Sequence, residues 1–127
     1  MDSKLKFIVD IDSFNPASEI GMKAFSLSKI KKNGFLIPRS IILTSHSYEF
    51  FMASNGLKKL IEVELGRKSM INMRWEELWD CALRIRNLLM RADVPQLINV
   101  QLKKAILDYF GTSKIAIRSS SSQEDMH

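Results

Sequence analysis

Cysteine is nearly missing from this chain: Cys81 is the one thiol. No internal disulfide can form, so a small secreted scaffold stapled by bridges is excluded. Histidine is also scarce. His46 and His127 are the only two, and neither has a second His, Cys or carboxylate at metal-ligand spacing. No Ser-His-Asp or Cys-His arrangement for nucleophilic catalysis can be argued from residues so scattered, and no catalytic residue is assigned. Long apolar runs are absent too; no stretch approaches the ~20 residues of a membrane span. The opening Met1-Asp2-Ser3-Lys4 lacks the apolar segment of a signal peptide, which makes the cytoplasm the default compartment. There is no internal repeat.

The chain does have enough apolar residues for a core. Of its 127 residues 46 % are hydrophobic and 26 % charged, which rules out compositional disorder. The length fits one domain or a large fragment of one. A chain of this size buries roughly two thirds of its unfolded surface. The net charge of +5 admits nucleic acid, acidic membrane or phosphate-bearing small molecules as partners. It equally admits no such partner, because a fragment need not share its parent's charge balance.

Lys6 to Ile11 is β-branched and aromatic and predicts a strand. Asn15-Pro16 breaks it. Gly21 then opens a helix to about Lys32, which Asn33-Gly34 stops. Phe35 to Leu43 predicts a second strand, edge-located or in two pieces because Pro38 lies inside it. Ser45 to Asn55 reads as a helix with Ser45 as its cap, and Leu57 to Leu65 as a shorter one. Gly66 to Asn72 reads as a loop. Trp75, Leu78, Trp79, Ala82, Ile85 and Leu89 recur at helical spacing through Arg91, the strongest periodic signal in the chain. This places both tryptophans in a core rather than on a stacking platform, and Cys81 among small core residues. Asp93 and Pro95 start a last helix, whose apolar face is Ile98, Leu102, Ile106 and Tyr109. Lys114 to Ile117 alternates as a final strand. The expected fold class is mixed α+β, with helices packed on a small sheet.

Two segments could carry chemistry. Gly21-Met22-Lys23 opens a helix, where backbone N–H groups and the helix dipole favour phosphate. Glycine permits close approach of the backbone, and Lys23 adds a point charge. The same three residues also fit a solvated first turn, since the full Gly-x-x-x-x-Gly-Lys-Ser/Thr loop is missing. Arg118 ends the last predicted strand and is followed by Ser119, Ser120, Ser121 and Ser122. A guanidinium forks onto phosphate oxygens, and the hydroxyls could bind phosphate or cap a turn. The segment also fits a polar tail. The lysine clusters at Lys29, Lys31 and Lys32, at Lys58 and Lys59, and at Lys103 and Lys104 fall on polar helix faces. Solvation accounts for these more economically than a nucleic-acid groove does.

Taken in order, the motifs resemble the amino-terminal ATP-binding part of the pyruvate phosphate dikinase and phosphoenolpyruvate synthase family, which includes rifampicin phosphotransferase. The family's Gly-Gly-Lys-Gly-x-Asn-Leu corresponds to Gly21-Met22-Lys23-Ala24-Phe25-Ser26-Leu27. Its Gly-Leu-x-Val-Pro-Pro-Gly-Phe strand, followed by Thr-Thr and a helical Tyr, corresponds to Gly34 through Ile41 with Thr44, Ser45 and Tyr48. Ile85-Arg86-Asn87-Leu88-Leu89 and Val94-Pro95 are similar to its following helices. Ile117 through Asp125 is similar to Val-Arg-Ser-Ser-Ala-x-x-Glu-Asp.

The resemblance covers nearly the whole chain. It implies the front part of an ATP-grasp nucleotide-binding domain, with residues 1–127 as an incomplete portion of it. It implies that Lys23 and Arg118 contact ATP phosphates, with Gly21, Ser119 and Ser120 beside them. Family members transfer phosphate from ATP, with Mg2+, to a histidine on another domain, and from there to pyruvate or a similar small acceptor. Met22, Ser26 and Arg39-Ser40 depart from the family residues. The family's Ala-Ser-Phe-Ala-Gly segment, its acidic magnesium ligands and its phosphohistidine and acceptor domains are not in the chain, so the piece alone is expected to be silent catalytically. Two rival readings stand beside this one. One is a self-contained regulatory or nucleotide-binding module derived from the family. The other is a basic nucleic-acid-binding domain, supported by the net charge alone.

Overall fold

A computed structural model describes residues 6–13 and 15–123. Strand β1, Ile8–Asp10, and strand β2, Ile41–Leu43, pair antiparallel with Val9 opposite Ile42. Backbone bonds from Ile11 to Ser40, 3.2 Å, and from Thr44 to Phe7, 3.0 Å, lengthen the ribbon at both ends. Strand side chains alternate, and the burial follows. Phe7, Val9 and Ile11 are buried with Ile42, whereas Leu43 stays exposed. The first strand therefore lies within the predicted Lys6 to Ile11.

The second strand is shorter than expected. Phe35 to Ser40 forms none, and Phe35 and Leu36 are exposed. Pro38 has no N–H to contribute to a ladder, and the Ser40 hydroxyl turns back onto the Pro38 carbonyl at 2.9 Å.

Helix α1, Ala17–Ile20, is a single turn missing from the sequence reading. Helix α2, Met22–Lys32, follows it directly. Ile20 and Ala24 pack on Val9, Ile11 and Ile42, with Phe25, Leu27 and Ile37 around them. Each valine or isoleucine among them contributes about 1.5–3 kcal/mol when fully buried. Helix α2 ends at Asn33-Gly34 as predicted. The Gly34 amide reaches Lys31, 3.0 Å, and the Phe35 amide reaches Ile30, 3.3 Å. That pair of bonds is a Schellman cap, and Gly34 at φ +87° supplies the left-handed residue it needs.

Two compact units divide the chain. One holds residues up to Glu49 together with Gln96 onward; the other is Phe50–Pro95. The boundary falls inside helix α3, Ser45–Ser54. In the first unit, helix α6, Gln96–Phe110, packs against β1 and ends at Gly111, φ +58°. The Tyr109 hydroxyl is hydrogen-bonded to Asp10, which holds its pKa above the usual phenol value. Arg39 lies over the Tyr109 ring at 5.4 Å. Asp93 is not the cap of α6, because the helix starts three residues later; its carbonyl instead accepts from the Asn55 amide at 2.9 Å. Lys114 to Ile117 is not a strand among the described residues. No neighbour pairs with it, and Ile117 is 89 % exposed.

The second unit is a helix hairpin of α4, Leu57–Gly66, and α5, Trp75–Arg91, with a 3-10 turn at Met70–Asn72 between them. Leu57 and Cys81 are buried within it. Glu64 lies between two arginines, 2.8 Å from Arg84 and 3.0 Å from Arg67. The Glu77 carboxylate accepts from the Arg74 backbone, 2.8 Å, and from Lys68, 2.8 Å, which fastens the start of α5. The two tryptophans depart from expectation. Trp75 is 70 % and Trp79 62 % exposed, and they stack on each other with ring centroids 5.4 Å apart. A two-helix hairpin covers one flank of α5, the one bearing Cys81, and the tryptophans lie on the other. Among the described residues no helix is long and apolar enough to cross a membrane.

The hydrogen bond from Arg84 holds the Glu64 carboxyl below its ordinary pKa, and the bond from Lys68 does the same for Glu77. A depressed folded pKa stabilises fully above the unfolded value, about 4.3. That contribution is lost as pH falls through the lower folded value. Both tryptophans lie in this hairpin, so their fluorescence reports its unfolding. Glu64→Gln is expected to flatten the loss of stability between about pH 5 and pH 3. An unchanged pH dependence would remove Glu64 from the account.

Candidate functional site

The two segments singled out in the sequence meet in the first unit. Gly21 is the N-cap position of α2 and adopts φ 80°, ψ 163°, a region open to glycine alone. Its second constraint is space. A Cβ at Gly21 would fall onto the Ser120 hydroxyl oxygen and lie 2.6 Å from the Ser120 carbonyl carbon and 2.8 Å from its oxygen. The close approach that the glycine permits is thus made by the chain's own serine run.

Three hydrogen bonds join the segments. The Ala24 amide donates to the Ser120 hydroxyl oxygen at 3.2 Å. That hydroxyl donates to the Ile20 carbonyl at 2.9 Å. The Met22 amide donates to the Ser121 carbonyl at 3.0 Å. Amides in the first turn of a helix have no partner inside it, and here the serine run supplies two. Nothing near Gly21 could reveal this from sequence, because Ser120 lies 96 residues from Ala24. The capping role of Ser120 and the part played by the Ser121 carbonyl were both missed for that reason.

Lys23 is the second residue of α2 and is exposed; Arg118 and Ser119 are exposed as well. Arg118 is two residues from Ser120, no more than about 7 Å of extended chain. The seam therefore brings the turn of Lys23 and the segment of Arg118 to one place on the surface. Two lysines at the far end of α2 have local uses. Lys31 pairs with Asp12 at 2.5 Å, Lys29 lies 4.6 Å over the Phe25 ring, and both complement the negative end of the helix dipole. His46 stands between Glu19, 3.9 Å, and Glu49, 3.8 Å. Among the described residues no group of three or more His, Cys, Asp or Glu could hold a metal ion.

A lysine in the first turn of α2 and an arginine on the segment fastened to that turn give this surface its basic character. Residues 17–127 match the family described as pyruvate phosphate dikinase, AMP/ATP-binding domain, and the chain belongs to that family. Over 135 aligned positions it is 27 % identical to a phosphoenolpyruvate synthase of Aeropyrum pernix. That alignment covers 99 % of this chain and 16 % of the Aeropyrum protein, so the chain spans less than a fifth of its relative's length. No solved structure matches the chain.

Gly21→Ala is expected to cost more than Gly34→Ala. Both positions have positive φ, but a Cβ at Gly34 meets nothing within 4 Å. Gly34→Ala carries the left-handed penalty alone, about 1–2 kcal/mol. Gly21→Ala meets a backbone region closed to residues with a side chain and adds the collision with Ser120. Urea midpoints of the two variants measure the difference, and equal midpoints would mean that the seam yields without cost.

Proposed function

We propose that this chain is the amino-terminal part of an ATP-grasp nucleotide-binding domain, in a phosphotransferase of the phosphoenolpyruvate synthase type. In this reading Lys23 and Arg118 hold the phosphates of ATP. The observation that carries it is the seam: a hydroxyl 96 residues away caps the helix of Lys23 and brings the Arg118 segment with it.

The residues present fit a triphosphate in a particular way. The Met22 and Ala24 amides are engaged by Ser121 and Ser120, so the helix start does not offer those donors to a ligand. In this reading the Lys23 and Arg118 side chains supply them. An ammonium and a guanidinium, both exposed, give a point charge and a fork toward phosphate oxygens. When bound with Mg2+, ATP supplies the phosphoryl group that family enzymes pass on to a histidine and an acceptor such as pyruvate. This chain's part is binding and orientation, on which phosphoryl transfer chiefly depends. The acidic groups that hold the magnesium belong, in this reading, to a later part of the domain, as do the histidine and the acceptor site. The compartment that suits such an enzyme is the cytoplasm.

Calorimetric titration of Mg-ATP into the protein as its gene encodes it tests the assignment. Lys23→Ala and Arg118→Ala are each expected to weaken binding by roughly tenfold or more, the equivalent of one charge-assisted hydrogen bond. Arg118→Lys should recover only part of the loss, because the fork is gone. Unchanged affinity in both alanine variants would refute the assignment. Salt-sensitive binding of duplex DNA or RNA without nucleotide binding would favour the nucleic-acid reading instead.

A further inference from the structure

A helix is ordinarily capped by the residue just before it, whose side-chain oxygen accepts from an amide of the first turn. Helix α2 cannot do this, since its N-cap position is Gly21. Ser120 provides the missing oxygen. It accepts from Ala24, the third residue of the helix, where a local cap would have accepted. Its single O–H is directed to the Ile20 carbonyl, so donating to a ligand would orphan that carbonyl. Ser113 to Ser121, meanwhile, belongs to no helix or strand. Among the described residues no sheet ladder holds the Arg118 segment, and the bonds of Ser120 and Ser121 tie it to α2.

We propose that Ser120 is a positioning residue: a cap supplied from a distance, whose hydroxyl sets the Arg118 segment against the Lys23 turn and itself makes no contact with the nucleotide. This replaces the expectation that Ser120 touches phosphate, and it rests on reading Lys23 and Arg118 as the phosphate contacts. The seam acts as a spacer. While the cap holds, the two cations face a triphosphate at one separation. When it opens, Arg118 moves with a strand-free segment and the pair no longer acts together.

Two readouts on the full chain separate the parts of this proposal. In nucleotide-free protein, Ser120→Ala should speed amide hydrogen exchange at Ala24 on the order of tenfold, the loss of one cap. The Leu78 amide in α5, bonded to Arg74 at 3.1 Å, should be unaffected. With Mg-ATP as the probe, the same variant should bind roughly tenfold more weakly. Ser120→Thr, which keeps the hydroxyl, should restore both. Unchanged exchange at Ala24 would overturn the cap. Faster exchange with unchanged ATP affinity would overturn the positioning role. Absence of ATP binding before any substitution would overturn the phosphate reading and the positioning role that rests on it, whatever exchange at Ala24 shows. Should Ser120→Ala fail to fold, the unsubstituted chain still decides on the cap. Its Ala24 amide must then exchange more slowly than the Glu76 amide, which holds a first-turn position in α5.

Discussion

One hydroxyl group, that of Ser120, organises the junction between the start of α2 and the serine run. It bridges the last carbonyl of α1 and the third amide of α2. Everything nearby answers to that bridge. Gly21 is glycine because a Cβ would occupy the same space. α1 and α2 are two helices rather than one because Gly21, at φ 80° and ψ 163°, takes a backbone conformation no helix contains. The core of Val9, Ile11, Ile20, Ala24 and Ile42 fixes the other side of both helices. The seam thus rests on a packed sheet face while its outer side, with Lys23 and Arg118, is open to solvent.

The distribution of apolar surface has a similar logic. The first unit buries one face of a two-stranded ribbon and leaves Leu36 and Ile117 uncovered. The second buries one flank of α5 and leaves Trp75 and Trp79 stacked in solvent. A two-stranded ribbon and a two-helix hairpin are each among the smallest assemblies that hide any core at all. Their stability therefore leans on local devices. The Schellman cap at Gly34 and the fastening of Arg74 by Glu77 are two of them.

Much of this was legible in the sequence, because much of it is local. Helix α5 could be read to the residue, since its apolar period is strong from Trp75 to Arg91 and Pro95 lies a few residues beyond. Asn33-Gly34 named its own stop. What could not be read depended on distant partners. Lys114 to Ile117 alternates as a strand should, but alternation creates a strand only where another strand offers its hydrogen bonds. Trp75 and Trp79 follow helical spacing, and spacing tells which residues share a face, not whether anything covers it. The single turn α1 was hidden behind Pro16, read as a breaker although proline is well suited to the start of a helix. As for the site, residue chemistry singled out Gly21, Lys23, Arg118 and Ser120, and the family likeness joined them. The cap connecting them was invisible, since no pattern in the sequence marks a hydroxyl that acts 96 residues away.

The most direct test of the central claim is a nuclear Overhauser measurement on isotope-labelled protein without nucleotide. The account predicts cross-peaks from the Ser120 β protons to the Gly21 α protons and to the Ala24 amide. Their absence, with the same protons giving cross-peaks only to sequence neighbours, would mean that the serine run does not lie on α2. Lys23 and Arg118 would then have no common site.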